Sequence, residues 1–357
     1  MTDFLLVDDL TAIVHDLEKS NRIGLDTEFM REKTFFAELC LVQISTTNAI
    51  YCIDPLSGTD MPTFWKSALA TPWVAHSARQ DIEVIYQATE RMPTELFDTQ
   101  IAAALLGYAP QLGYANLVNE LFDVELPKSH TRADWSRRPL ANDVLQYAAE
   151  DVEYLLPARQ ILAERLDKLG RLHWAEEDSR LLLDPALYDM DPQSAVGRLK
   201  GARNMRGRRR AAAARLAAWR EAEALRANRP RQWIAKDTNL LAMATALPGS
   251  QKDLEAIDGL PTGLIRRSGK DLLEAVRAST GDDHGHRPPA APNEAQKQLL
   301  KDLQKEVAAC AESLGLSAEI IAPKKELASV IAGGKRTSRV FEGWRRELIG
   351  DRLLQML

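Results

Sequence analysis

The stretch RIGLDTEFM, residues 22 to 30, is an apolar, strand-like run that carries Asp26 and Glu28 in its middle. Side chains alternate faces along a strand, so residues two apart point the same way. Asp26 and Glu28 therefore stand side by side on one face, where like charges repel. A fold that keeps this pair has to neutralise it.

Working outward, ELCLVQIST (38–46) and AIYCIDPL (49–56) are further short apolar runs at close spacing, read as consecutive strands joined by tight turns, and PWVAHSA (72–78) reads as another. Helical patterns surround it at about 60–70, 79–90, 98–106, 113–122 and 141–168. That alternation predicts an α/β domain with a mixed sheet over residues 1–195. Beyond it the strand signal disappears. Ala, Leu, Arg and Glu dominate, with helices expected near 206–227, 236–246, 250–256 and 269–279, an all-α domain at 207–280. GDDHGHRPPAAPN (281–293) reads as a linker from its Gly and Pro content. A last helical domain is expected at 294–357, with breaks at APKKE and AGGKR.

Two more acids sit oddly. A helix starting near Arg79 puts Asp81 on the face of Ala78, Ile82 and Ile85, beside the apolar stripe. In NDVLQYAAEDVEYLLPA, Tyr147 and Asp151 are four apart and share a face that borders Val144, Ala148, Val152 and Leu155. Four acids brought together call for hard cations. Carboxylates without His or Cys favour Mg²⁺ or Mn²⁺ over Zn²⁺, and two such ions can drive phosphodiester hydrolysis. Each residue also has a plainer reading: Asp81 as an early-helix acid, Asp151 as a surface acid, Tyr147 as packing. Asp98, before a helix, needs no role beyond the N-cap.

The 357 residues are 45% hydrophobic and 27% charged, ordinary for a globular protein, and no apolar run is long enough for a membrane span. The start MTDFLLVDDL lacks the basic opening of a signal peptide. Three cysteines, Cys40, Cys52 and Cys310, fit no metal spacing and argue against a disulfide framework, so a reducing cytoplasm is expected. The net charge of −5 hides an asymmetry. Residues 198–231 hold twelve Lys/Arg against Glu221 and Glu223, leaving −15 on the rest. Such clustering points to a polyanion such as nucleic acid, a solvated helical face being the other account.

Together LDTEF, HSARQD and YAAED resemble the three exonuclease motifs of the DEDD superfamily, and a Tyr four before the last acid matches its tyrosine subclass. KSHTRADWSRRPL, LCLVQIS and CIDPL resemble segments of the ribonuclease D family, and LEAIDGLPTGLIRRSGKDLLEAV resembles its helicase-and-ribonuclease-D C-terminal (HRDC) module. The final unit is similar to a second, divergent copy. The resemblance implies a ribonuclease-H-like fold followed by two helical domains. It also implies a metal-dependent 3′→5′ exoribonuclease that releases nucleoside 5′-monophosphates. Asp26, Glu28 and Asp151 would hold one ion, Asp26 would bridge to a second with Asp81 helping directly or through water, and Tyr147 would orient the attacking water. Substrate contacts are expected from Phe29, His76, Lys128, Trp135 and Arg138, though Trp135 can equally be core and His76 structural. The implied partners are RNA 3′ ends and transfer-RNA precursors, acted on by a monomer with no membrane. A DNA exonuclease of the same chemistry is the alternative, since carboxylates do not read a 2′-hydroxyl. A non-catalytic nucleic-acid-binding protein is a further one.

Overall fold

A computed structural model describes residues 4–7, 10–58, 60–127, 133–279, 292–333 and 338–357. Among these, six strands form one sheet: β1 (Leu5–Val7), β2 (Ile23–Met30), β3 (Glu38–Ser45), β4 (Ile50–Ile53), β5 (Trp73–Ala75) and β6 (Leu96–Asp98). Their order is β1-β4-β3-β2-β5-β6. β3 and β4 run antiparallel, while β1 with β4, β2 with β5, and β5 with β6 run parallel, giving the expected mixed sheet.

Eight helices accompany it: α1 (Thr11–Lys19), α2 (Met61–Ala70), α3 (Arg79–Thr89), α4 (Thr99–Leu105), α5 (Tyr114–Phe122), α6 (Asn142–Glu153), α7 (Leu155–Lys168) and α8 (Leu172–Leu181). The strand period sorts them. Ile23 and Leu25 join a core with Ile13, Leu17, Phe64 and Ile82 from α1, α2 and α3. Val74, of opposite parity to its neighbours Trp73 and Ala75, joins a second core with Leu105, Leu155 and Leu162 from α4 and α7. The even-numbered face of β2, which carries the acids, thus meets the α6–α7 side.

Residues 141–168, expected as one helix, form two. Tyr154 ends α6 and precedes α7 with φ −98° and ψ 2°. Pro157 explains the break, because in a continuous helix its ring would collide with the carbonyl of Glu153. The helix expected from residue 269 starts earlier: α13 below begins at Thr262, directly after Pro261, and runs through two glycines because Leu264, Ile265, Leu272 and Val276 pack on one face. β1, α1, β6 and α8 were not anticipated.

The chain divides into two compact units. The first joins Met1–Met30 and Leu39–Tyr188 with Pro292–Leu357. In its C-terminal part, α14 (Glu294–Leu314), opened by an Asn293–Gln296 capping box, packs with α15 (Ala318–Ile321) and α16 (Lys324–Gly333); labels α9–α13 belong to the second unit. This part is fixed to the exonuclease fold by a buried lock. Trp344 stacks on Trp174 at 4.4 Å, its indole N–H donates to Asp178 at 3.1 Å, and Arg345 grips both oxygens of Asp178 at 2.5 and 2.7 Å. Arg345 is 2% exposed, and removing one partner of a pair so buried typically costs about 3–5 kcal/mol.

The second unit joins Arg31–Glu38 with Asp189–Ala291 and holds α9 (Gly207–Ala227), α10 (Arg231–Ile234), α11 (Asp237–Ala246), α12 (Gln251–Glu255) and α13 (Thr262–Arg277). Its core is small-residue rich, with Ala212, Ala213 and Ala217 of α9 against Leu240, Leu264 and Leu272. Of the linker expected at 281–293, residues 281–291 lie outside the described residues. The basic stretch is partly internal bracing. Arg198 and Arg231 both pair with Glu221, which is 1% exposed, and Arg220 pairs with Asp237. Arg206, Arg208, Arg209 and Arg229 remain exposed.

Candidate active site

Asp26 and Glu28 project from the β2 face that meets α6, as the strand period requires. Asp151, on the last turn of α6, comes to them: one oxygen from each of Asp26, Glu28 and Asp151 lies within 4.8 Å of the others. Gly24 permits the approach. A Cβ there would stand 2.2 Å from Ser45 Oγ and 3.0 Å from Leu155 Cβ, while Ser45 Oγ donates to the Val152 carbonyl at 2.8 Å. A bare backbone at residue 24 therefore lets the α6–α7 junction lie close against β2.

Asp81, in the first turn of α3, lines the same cavity of about 570 Å³ but stands outside the three-acid cluster. Its Oδ1 accepts a hydrogen bond from Thr27 Oγ1 at 2.5 Å, which anchors it to β2 through the residue that separates the two strand acids in sequence and points to the other face. Thr27 was not singled out from sequence. Asp98 caps α4 as expected, accepting from Gln100 N and Ile101 N, but it does more. It also accepts from Ser77 N at 3.1 Å and Ala78 N at 2.9 Å, tying down the β5–α3 loop that leads to Asp81. Tyr114, like Thr27, is a residue the sequence did not flag. It lines the cavity, and its hydroxyl accepts from Tyr154 N at the α6–α7 break.

Electrostatically the acids oppose their own ionisation. Burial, then Asp81, Asp151 and Glu28, hold the Asp26 carboxyl well above the usual range. Burial with Asp151 and Asp81 pushes Glu28 up to about 8. Burial takes Asp81 to about 7 against the Thr27 hydrogen bond, and burial with Glu150 and Asp81 takes Asp151 to about 7. Tyr147 is likewise pushed up, by burial and by Asp151 and Glu28. Carboxylates raised in this way need protons or a cation. Oxygen-only donors converging from three side chains fit a hard divalent ion.

A stability prediction follows. These pKa values are raised in the folded state, so the associated stability is present near pH 4 and is lost as pH rises through 7–8. In EDTA the melting temperature should fall by several degrees between pH 5 and pH 8, and Mg²⁺ should raise it more at pH 8 than at pH 5. A melting temperature independent of both would count against the cluster as a cation site.

The other expected residues divide. Phe29 and His76 line the cavity. Both His76 nitrogens are engaged, Nδ1 with Thr99 Oγ1 at 2.9 Å and Nε2 with the Leu112 carbonyl at 2.8 Å, and burial lowers its pKa. Trp135 is 4% exposed and packs with Leu145 and Ala148, its ring 6.5 Å from that of Tyr147. It backs Tyr147 and has no face open to a base, which corrects the stacking expectation. Arg138 is corrected too. Its five N–H groups already serve both oxygens of Asp54 and the carbonyls of Trp135, Arg137 and Cys40, leaving none for a phosphate. Lys128 lies outside the described residues.

Residues 6–167 match the family model for a 3′-5′ exonuclease, and residues 209–276 match that of the HRDC domain. Ribonuclease D of Gluconacetobacter diazotrophicus is 36% identical over 364 residues, covering 98% of this chain and 91% of that protein. The chain belongs to the ribonuclease D family. Ribonuclease D of Acidiphilium cryptum is 35% identical, covering 97% of this chain and 90% of that protein. The crystal structure of Escherichia coli RNase D, an exoribonuclease involved in structured RNA processing, matches with a TM-score of 0.90 at 28% identity, covering 99% of this chain and 98% of that one. This ribonuclease D family member is accordingly a 3′→5′ exoribonuclease with the α/β exonuclease fold and a following helical region that contains an HRDC domain. The family's use of divalent metal agrees with the acidic cluster. No helix among the described residues is long and apolar enough to cross a membrane.

Proposed function

We propose that Asp26, Glu28 and Asp151 hold one divalent ion, and that Asp26 and Asp81 hold a second, both Mg²⁺ or Mn²⁺. The observation that carries this reading is the convergence of the three carboxylate oxygens within 4.8 Å, with no nitrogen or sulfur donor in the cluster. When bound, the ions would supply an activated water and stabilise the leaving 3′ oxygen. The chain's own groups do the rest. Thr27 keeps Asp81 turned toward the cavity, and Asp98 keeps the loop before it in place. Tyr147, whose pKa is raised, retains its proton at neutral pH and so orients the water by hydrogen bonding instead of acting as a base. Phe29 and His76 flank the terminal nucleotide, since both line the cavity.

The product would be nucleoside 5′-monophosphates, cut one at a time from single-stranded 3′ ends. Transfer-RNA precursors and other stable RNAs are the proposed substrates, acted on by a monomer in the cytoplasm. Three free, buried cysteines agree with a reducing compartment. The direct test is an end-labelled RNA with a free 3′ tail, incubated in EDTA and then with Mg²⁺ or Mn²⁺ restored, beside a DNA of the same sequence. Stepwise shortening only with metal, and faster on RNA, is the expected result; equal rates on DNA would favour the deoxyribonuclease alternative.

Tyr147→Phe keeps the ring against Trp135 and loses only the hydroxyl. Its kcat should drop about 10²-fold, the usual scale for a positioned polar group, with KM little changed. A rise in KM alone would move Tyr147 to the binding surface.

A further inference from the structure

We propose that Gln43 is a positioning residue for Asp26: its buried carboxamide donates to the Asp26 carboxylate of the cation-loaded protein and fixes the orientation in which that carboxylate serves the ions. The proposal rests on the two-ion reading above and deepens it.

Gln43, in β3, is 0% exposed, yet neither its Nε2 nor its Oε1 has a hydrogen-bond partner among the described residues. Buried side-chain amides are nearly always bonded, because an amide taken out of water with no partner loses its hydration without return. A methionine side chain would fill the same space without that loss. Ser45, two residues along the same strand face, shows the usual outcome, its hydroxyl donating to the Val152 carbonyl at 2.8 Å.

The sheet decides what this amide can reach. β2 and β3 are neighbours of eight residues each, and a Cβ at Gly24 would meet Ser45 Oγ first, so residues 24 and 45 lie side by side. Gly24 is the second residue of β2 and Ser45 the last of β3, so the strands overlap along their length only if they run antiparallel. Two residues further, that register sets Gln43 beside Asp26. Strand parity agrees: Val42 and Ile44 share the opposite face's core with Ile23 and Leu25, which leaves Gln43 on the face of the acids. Directly opposed residues hold their Cβ atoms ~4.5–5.5 Å apart, a span that a glutamine side chain bridges to a carboxylate. On its other side Gln43 is paired with Cys52, whose thiol burial pushes up to about 12, so it stays a weak S–H group 4.0 Å from the Leu145 carbonyl. Over Cys52, α6 contributes Leu145, Ala148 and Ala149, none with a polar side chain. Among the described residues Asp26 is thus the strong acceptor within one cross-strand step of Gln43. A carboxylate offers about four lone-pair sites, and a cation takes those on one side. An N–H donor on the other side holds the ligating oxygen on aim, as outer partners of metal ligands do.

The test titrates Mn²⁺ into the full-length protein without RNA and follows the loss of the free ion's electron paramagnetic resonance signal. Gln43→Met keeps the length of the side chain and removes only the amide. It should bind Mn²⁺ about 10- to 100-fold more weakly than wild type, the usual loss when an outer partner of a ligand is removed, and its melting temperature in EDTA should not fall. Gln43→Leu should behave alike, so that one ill-packed variant does not decide the matter. With Mg²⁺ and RNA, kcat should fall while KM for RNA stays unchanged. In the Asp26→Asn background, Gln43→Met should alter the single-turnover rate by no more than about a factor of two, because the two side chains act as one unit. Wild-type Mn²⁺ affinity in a folded Gln43 variant would overturn the proposal. So would a full further loss of rate in the Asp26→Asn background, since the amide would then act through another group. A lower melting temperature of both variants in EDTA would also overturn it, because the amide would then serve the metal-free fold. Failure of the wild-type protein to bind Mn²⁺ would instead strike the two-ion reading itself.

Discussion

The Asp26→Asn protein should hydrolyse RNA at least about 10³-fold more slowly than wild type, at the upper end of losses for a single preorganised polar group, and should nevertheless melt at a higher temperature in EDTA at pH 8. Both results have one cause. Asp26 is buried beside Asp81, Asp151 and Glu28, each of which makes its ionisation harder. An amide of the same shape removes a charge that the metal-free fold tolerates poorly, so the apo protein gains stability. The same amide is a weak ligand for a hard ion, so the gain that Mg²⁺ brings to the wild-type melting temperature should largely vanish. Near-wild-type turnover would remove Asp26 from the chemistry. A lower melting temperature in EDTA would mean that its charge is compensated within the protein.

Gly24→Val should lose more than 10²-fold in kcat although no atom of residue 24 is placed in contact with substrate. Even the Cβ of Gly24→Ala would stand 2.2 Å from Ser45 Oγ, a separation that real side chains do not tolerate. Ser45 can turn away only by giving up its hydrogen bond to the Val152 carbonyl. Behind it Leu155 Cβ is only 3.0 Å off. The α6–α7 junction must then retreat, and Asp151, the residue before Val152, retreats with it from Asp26 and Glu28. A misplacement of about 1 Å costs on the order of 10²-fold in a positioned site, so Gly24→Ala is set near that figure and Val beyond it. The Gly24→Ala/Ser45→Ala pair should recover part of the rate, because it removes the closest contact and leaves Leu155. Wild-type kcat in Gly24→Ala would show that Asp151 tolerates the displacement.

How much of this could be read in advance depended on distance along the chain. Asp26 with Glu28, and Tyr147 with Asp151, lie within one period of a strand or a helix, and their shared faces follow from geometry alone. Asp81 needed more. Its anchor Thr27 is 54 residues away and on the strand face opposite to Asp26 and Glu28, so no local period pairs them. Gly24 carries no local signal of its role, because the Leu155 that packs on it is 131 residues away along the chain. Charge counting failed in a related way at Arg198, Arg220 and Arg231: a tally of cations does not reveal which carboxylate each will be folded against. Arg138 misled for the same reason, since its partner Asp54 is 84 residues away. The three-residue strands β1 and β6 are too short to show a period at all.

The lock between Asp178 and Arg345 bears on how the protein is made. These residues are 167 positions apart, and Asp178 leaves the ribosome long before its partner exists. At ~5–20 residues per second the interval is roughly 8–33 s. During it the nascent exonuclease fold has a buried-type carboxylate without its guanidinium and the face of Trp174 without its cover. A chain released early, before residue 345, would keep every acid of the cavity and still carry this open wound, a mark by which proteases and chaperones can tell it from a finished enzyme.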